Sequence, residues 1–337
     1  MLATLTLPAG HELPALQARP TVRVRSADEL RAALRQARAR ALTLDGTGMD
    51  RVLRLDAGRG IVEVQAATPW HALAAHLARN GCAIEAFAGD RDLPATVGEA
   101  VSRAAAGPDG LPVTAHVVAL TLVGQDGELR RADRTASKDL FRLALGGQGV
   151  VGVLYSVTLS LDSLRKSALA ACPPVELHIA DSRPGHEEFA LEVLLPPAAL
   201  DAYLKELRAL AGDRRIALNG ISVRRYQPCA DAFLNWATRE WAGVRVRFGL
   251  KATLGARVTA AEFRAALLEA ALRLGGSFPL HDLRDASRRQ LEACYPKLSA
   301  FLAEKRRCDA GERLQNAWYR DLLARIRRES LAVTWGG

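Results

Sequence analysis

The sequence predicts an α+β chain in two lobes, and three observations carry that prediction. Residues 21–161 alternate short β-rich runs with helical patterns. A break with three prolines follows, SLRKSALAACPPVELHIADSRPGHEE. Beyond it the order is strand, helix, strand, strand, helix, which builds an antiparallel sheet covered on one side. A chain of 337 residues is long enough for two such domains or one large α/β unit.

Taken in order, residues 1–20 carry three prolines and little pattern, and read as an irregular lead-in. Thr21–Val24 is a short strand. Ser26 then caps a helix whose first turn holds Asp28 and Glu29 at its positive end, with Leu30, Ala33, Leu34 and Ala37 on one face to about Ala41. Ile61–Ala66 alternates as a strand. Pro69 opens a helix that Gly81 ends. His71 and His76 lie on it five residues apart, which does not place them on one face, so both read as surface or packing residues. Val113–Leu161 is the organising stretch. Two apolar runs, HVVALTLVG and GVLYSVTLSL, flank an Asp126-Gly127 turn and a helical DLFRLAL closed by Gly146-Gly147. Gly149 and Gly152 bracket Val150-Val151, and glycines this dense let the backbone approach something closely. In the second lobe FALEVLLPP, ALNGISVRRY and GVRVRFGLKA read as strands. AALDAYLKELRALAG and AAEFRAALLEAALRLGG read as helices, and AFLNWATREW as a helix or turn.

Composition narrows the function classes. The formal charge of +9 invites a polyanion partner, but only six of the 46 basic residues are Lys and the arginines are spread through every segment. Scattered arginine is not a patch, so no nucleic-acid partner is expected. No run of about 18 apolar residues exists, so no membrane span is expected. The N-terminal stretch lacks a basic start and an apolar core, so no signal peptide is read and a cytoplasmic location is expected. Five widely spaced cysteines without a CxxC suggest neither a disulfide framework nor a zinc site.

The string H-V-x-x-L-x-L-V-x-x-D-G-E, followed by D-L-F-R-x-x-x-G-G-x-G-x-x-G-V-L, resembles the PCMH-type FAD-binding family. This is the vanillyl-alcohol-oxidase superfamily, which includes sugar-lactone and alditol oxidases. V-R-S-A-D-E-L-R-A-A-L matches that family's opening βα unit. Tyr295, Pro296, Phe301, Lys305, Arg306, Asp309, Asn316 and Trp318 match its closing segment, with Ala310 in place of a Pro and Leu314 in place of a Phe. The resemblance implies a two-lobed FAD-binding domain over residues 1–165, an antiparallel-sheet cap domain over 166–280, and a segment 281–337 that returns to the first domain. It implies contact with FAD at Thr96, Val97 and Gly98, at Gly107, and at Gly147, Gly149, Gly152 and Val153. On the cap it points to Arg224 or Arg225, Tyr226 and His281 as substrate or catalytic residues. Near the end of the chain it points to Lys305 and Tyr319. For the last two, the alternative is a structural role in tying the C-terminus down.

Two departures stand out. The glycine-rich pyrophosphate turn that follows the first helix in the family has no clear counterpart. LTLDGTGMDRVLRLD aligns better with the family's next strand pair, and on that alignment the turn is deleted together with the site of covalent flavin attachment, so any FAD is non-covalent. Glu99 also stands where the family has a second Gly. A carboxylate beside a diphosphate in low dielectric is unfavourable by several kcal/mol unless it is screened or turned away. Two readings stay open: an FAD-dependent oxidoreductase acting on an alcohol, sugar or lactone-type small molecule, and a descendant that has lost FAD and serves as a non-redox biosynthetic enzyme or a non-catalytic partner. A protein partner or a homo-oligomer fits either reading.

Overall fold

The computed structural model describes residues 5–7, 20–37, 42–181, 183–253, 255–281 and 286–334. Its contacts divide the chain into two compact units. Residues 1–171, 230–235 and 297–337 form the first, and residues 172–229 and 236–296 form the second. The first unit thus runs past the expected boundary at 165, and the C-terminal segment joins it from Lys297, not from His281.

The first unit opens with β1 (Leu5–Leu7), a strand inside the expected irregular lead-in, most of which lies outside the described residues. Next come β2 (Thr21–Arg23), α1 (Ala27–Gln36) and β3 (Leu42–Asp45). β3 runs parallel to β2 and antiparallel to β1. Ser26 Oγ accepts from the Glu29 N–H at 3.2 Å, and Glu29 Oε2 accepts from the Arg25 N–H at 2.7 Å, so the first turn of α1 is closed as predicted. Leu30, Ala33 and Leu34 are buried against Leu42, Leu44 and Met49. The helix is capped at Ala37, short of the expected Ala41.

The larger sheet of this unit contains β4 (Val52–Asp56) and β5 (Ile61–Gln65), followed by α2 (Trp70–Ala78), α3 (Glu85–Gly89) and α4 (Val97–Arg103). β6 (Val117–Val123), β7 (Leu129–Asp133), α5 (Lys138–Ala144), β8 (Val153–Ser160) and α6 (Leu161–Leu169) complete it. The strand order is β4-β5-β8-β6-β7, antiparallel throughout. The β6–β7 turn is the predicted one: Gly127 sits at φ +80°, where a side chain would be strained, and Asp126 Oδ1 accepts the Glu128 N–H at 3.0 Å. Leu73, Leu77, Phe87, Val101, Val157 and Leu164 fill the core against the sheet. α6 lies in what the sequence suggested was already the crossover, because Ser160 caps a new helix there.

The second unit is built on β9 (Val175–His178), β10 (His186–Leu195), β11 (Ala217–Tyr226) and β12 (Trp241–Lys251), ordered β10-β12-β11-β9 and antiparallel. β9 was not foreseen; Val175 and Leu177 alternate with Glu176 and His178, but the strand has only four residues and all are exposed. α7 (Leu200–Asp213), α8 (Ala256–Arg273) and α9 (Arg288–Cys294) accompany the sheet. Leu191, Val193, Val244, Val246 and Phe248 are buried on one face, where the Phe248 and Phe263 rings meet edge-on at 4.9 Å. The alternation puts Glu192, Arg224, Tyr226, Arg245 and Arg247 on the opposite face. AFLNWATREW forms no helix and divides between the units at Asn235 and Trp236.

The chain then re-enters the first unit with α10 (Leu298–Cys308) and α11 (Ala317–Thr334).

Candidate functional site

Among the predicted cofactor residues, the start of α4 is closed by the protein itself. Thr96 is its N-cap, and Thr96 Oγ accepts the Glu99 N–H at 3.3 Å. The Val97 N–H donates to Thr68 O at 3.0 Å and the Gly98 N–H to Ala66 O at 2.7 Å. A Cβ on Gly98 would stand 2.6 Å from Ala66 O, so this glycine serves the approach of helix to strand. Glu99 Oε1 is held by Arg103 at 2.7 Å, which removes the isolated charge the sequence raised.

The Gly107 loop is closed in the same way. The Gly107 N–H donates to Leu111 O at 2.7 Å, the Gly110 N–H to Gly107 O at 2.9 Å, and the Leu111 N–H to Asp109 Oδ1 at 3.0 Å. The Asp45-Gly46-Thr47-Gly48 turn holds its own anion: Asp45 Oδ1 accepts the Thr47 N–H at 2.9 Å and the Thr47 hydroxyl at 2.6 Å. These two bonds, the hydroxyl's first, hold the Asp45 carboxyl below its ordinary range. Gly48 is packed shut, since a Cβ there would stand 2.6 Å from Arg25 Cγ.

The Gly146–Val153 turn differs. Gly146 (φ +67°), Gln148 (φ +56°) and Gly149 (φ +71°) all take left-handed backbone. The Gly146 N–H donates to Val101 O at 3.0 Å and the Gln148 N–H to Ser102 O at 2.8 Å, which docks the turn on the end of α4. Gly147 is tight against Leu143 O, and Gly152 makes ordinary contact with Leu122. Val153 begins β8 opposite Val123. Gly149, in contrast, has nothing within 4 Å of where a Cβ would be. Beside it, the buried Gln148 Nε2 has no hydrogen-bond partner. A buried amide donor left unmet costs about 1–3 kcal/mol, and this is the one predicted cofactor segment that pairs open space with an unmet donor.

Lys305 and Tyr319 lie in a buried cluster elsewhere in the first unit. Lys305 Nζ bonds Asp309 Oδ2 with both side chains fully buried, and it sits 5.4 Å from the centre of the Tyr319 ring. Asp309 also accepts the Arg313 and Leu314 N–H groups at 3.0 and 2.8 Å, and the Tyr319 hydroxyl donates to Glu312 at 2.9 Å. Burial pushes the Lys305 amine below its ordinary value against the pull of Asp309. Asn316 Nδ2 donates to Gln148 O at 2.7 Å and so fastens this cluster to the glycine turn. The geometry is that of the structural tie.

In the second unit the structure brings the remaining candidates together. The Tyr226 hydroxyl donates to Glu192 Oε1 at 2.6 Å, and Arg245 Nη2 donates to Glu192 Oε2 at 2.9 Å. Burial alone would raise the Glu192 carboxyl, but Arg245, the Tyr226 hydrogen bond and nearby His281 hold it below its ordinary value. Burial first, then the Glu192 charge, pushes the Tyr226 phenol well above 10. Arg224 is buried and acts electrostatically on the same phenol. His281 is exposed. Arg225 is exposed and paired with Glu240 at 2.8 Å. Arg247 lies across Gly220, whose missing side chain leaves room for its guanidinium.

Glu192, Arg245 and Gln148 were not predicted. For the first two a signal was present: LEVLLP and VRVRFG alternate, and strict alternation puts a lone Glu and a lone Arg on the face away from the apolar residues. Only strand register, which the sequence does not fix, makes them partners. Gln148 carries no signal beyond its place between two glycines.

The family model for the FAD binding domain matches residues 34–133. Two solved structures of alkyldihydroxyacetonephosphate synthase are similar in fold. The one in crystal form P212121 has a TM-score of 0.62 at 11% identity, with 90% of this chain and 78% of that chain covered. The one in P1 has a TM-score of 0.58 at 11% identity, with 87% and 76% covered. No curated protein matches the sequence. The chain thus has the PCMH-type FAD-binding fold with a sheet-containing cap domain, α+β as its sequence indicated. Tested against FAD, the residues fit unevenly: the Gln148–Gly149 turn offers space and a donor, while the Asp45, α4 and Gly107 segments offer a diphosphate no free donor among the N–H groups just described. Among the described residues no helix is long and apolar enough to cross a membrane, and no cluster could hold a metal ion.

Proposed function

We propose that this chain is a flavin-dependent oxidoreductase that oxidises a small hydroxylated molecule of the alcohol, sugar or lactone type. The observation that carries this is the Tyr226–Glu192–Arg245 cluster on the polar face of the cap sheet of a flavoprotein fold. A bound flavin would supply the hydride acceptor. The protein's part is to take the hydroxyl proton. The Tyr226 hydroxyl donates its hydrogen bond to Glu192 and so leaves the phenolic oxygen's lone pairs to accept. A substrate O–H bonded to that oxygen passes its proton to Tyr226 as the Tyr226 proton passes to Glu192. With a flavin bound to accept the hydride, the alcohol would become a carbonyl and its hydroxyl proton would rest on Glu192. Arg245 keeps Glu192 ionised, so the base is ready at neutral pH. Arg224, Arg247 and His281 are the groups on hand to orient substrate oxygens.

The test is direct. The purified chain, dialysed against riboflavin, FMN and FAD, should retain flavin and turn yellow. Tyr226→Phe should still bind it while losing about 100-fold in kcat on whichever sugar alcohol or lactone precursor proves active. A chain that stays colourless with all three flavins removes this reading and leaves the descendant that has given up flavin.

A further inference from the structure

We infer that the chain engages a flavin without gripping the diphosphate of the dinucleotide, so that FAD, FMN and riboflavin compete for it on nearly equal terms. The inference rests on the flavin reading above, and it comes from the fate of backbone donors. A diphosphate is normally held by N–H groups at a glycine turn or a helix start that have no partner in the protein. This chain has three segments where such groups could stand, and in each the N–H groups described above turn inward. After β3, Thr47 gives both its N–H and its hydroxyl to Asp45. At α4, the N–H groups of Val97, Gly98 and Glu99 go to Thr68 O, Ala66 O and Thr96 Oγ. In the next loop, Gly107, Gly110 and Leu111 spend theirs on Leu111 O, Gly107 O and Asp109.

In two of these three segments a carboxylate, Asp45 or Asp109, is among the acceptors. A diphosphate that displaced Asp45 or Asp109 would strand an anion beside a dianion and break bonds already made. The glycines that would give it room are also filled from within the protein, Gly48 by Arg25 and Gly98 by Ala66. What remains open is the turn at Gln148 and Gly149. An unmet amide donor beside open space suits the carbonyl and ring-nitrogen acceptors of an isoalloxazine, which all three flavins share.

Equilibrium dialysis of the full chain against riboflavin, FMN, FAD and ADP, each separately, tests this. The three flavins should bind with Kd values within about threefold of one another, and ADP should show no saturable binding. FAD binding more than about tenfold tighter than riboflavin, or saturable binding of ADP, overturns the inference. If no flavin binds and ADP does not bind either, the oxidoreductase reading fails while the closure of the diphosphate segments stands. A Gln148→Leu variant should weaken all three flavins by the same factor of about ten and leave ADP unchanged. A loss confined to FAD would overturn the inference.

Discussion

The Tyr226 ring reaches Glu192 by crossing the intervening strand β12 at Gly243, where a Cβ would collide with the ring edge. Three strands are thereby joined by one phenol, with the Trp236 ring packed edge-on against it at 5.3 Å. Gly243→Ala should therefore act on Tyr226, not on the β12 backbone, which carries no left-handed torsion there. The expected cost is about 1–3 kcal/mol in urea denaturation. The same variant should lose the Tyr226–Glu192 bond, seen as a fall of the Tyr226 phenol toward its ordinary range in spectroscopic titration. An unchanged phenol would count against the crossing.

The Glu192 carboxyl has a pH signature. Its folded-state pKa lies below the ordinary 4.5, so the stability it contributes is complete above that value and is lost as pH falls through the folded value. Arg245→Met removes the largest stabiliser of the charge. The gap in urea midpoint between wild type and Arg245→Met should be widest near about pH 6 and close toward about pH 3. A gap independent of pH would show that Arg245 acts through packing alone.

Lys305 and Asp309 are a buried pair in which the two losses are unequal. Asp309→Asn strands the ammonium and weakens the acceptor of the Arg313 and Leu314 N–H groups, for an expected loss of about 3–5 kcal/mol. The Lys305 amine is already depressed below 10.5, so between its folded value and 10.5 the unfolded chain binds more protons and stability rises with pH. Without Asp309 that depression deepens. The deficit of Asp309→Asn should be greatest near neutrality and shrink as pH approaches about 10.

Gly149 and Gly147 separate ligand from packing. Gly149→Ala meets no atom and should cost only the strain of a left-handed residue, about 1 kcal/mol. Flavin affinity should nevertheless fall about tenfold or more, because the side chain fills the open space. Gly147→Ala runs into Leu143 O and should cost about 2–3 kcal/mol with no selective effect on flavin. Thermal melts with and without riboflavin distinguish the two outcomes.

The fold was legible wherever a local rule sufficed. Ser26 with Glu29, the Asp126-Gly127 turn and the strict alternation of VRVRF each specify their own geometry within a few residues. The misses were of two kinds. The alternation in β9 spans only four exposed residues, and the strand lies along the edge of β11. α6 is marked by a single cap at Ser160 that ends the preceding strand without a break. The sequence offers no signal for which polar residues of the cap strands become partners. The family resemblance pointed to Arg224, Tyr226 and His281, while Glu192 and Arg245 meet Tyr226 only through a register spanning three strands. Close backbone approach is equally required by a phosphate and by a neighbouring strand, and at Gly48 and Gly98 the protein itself is the neighbour.

The hydrogen bond from Asn316 to Gln148 spans 168 residues of sequence. During synthesis the glycine turn leaves the ribosome long before its tether does. At roughly 5–20 residues per second that interval is about ten to thirty seconds. Until Asn316 emerges the turn lacks this bond, so the nascent first unit can fold around its sheet before the turn is fully fastened. Loading with any flavin would then be a late, post-translational event.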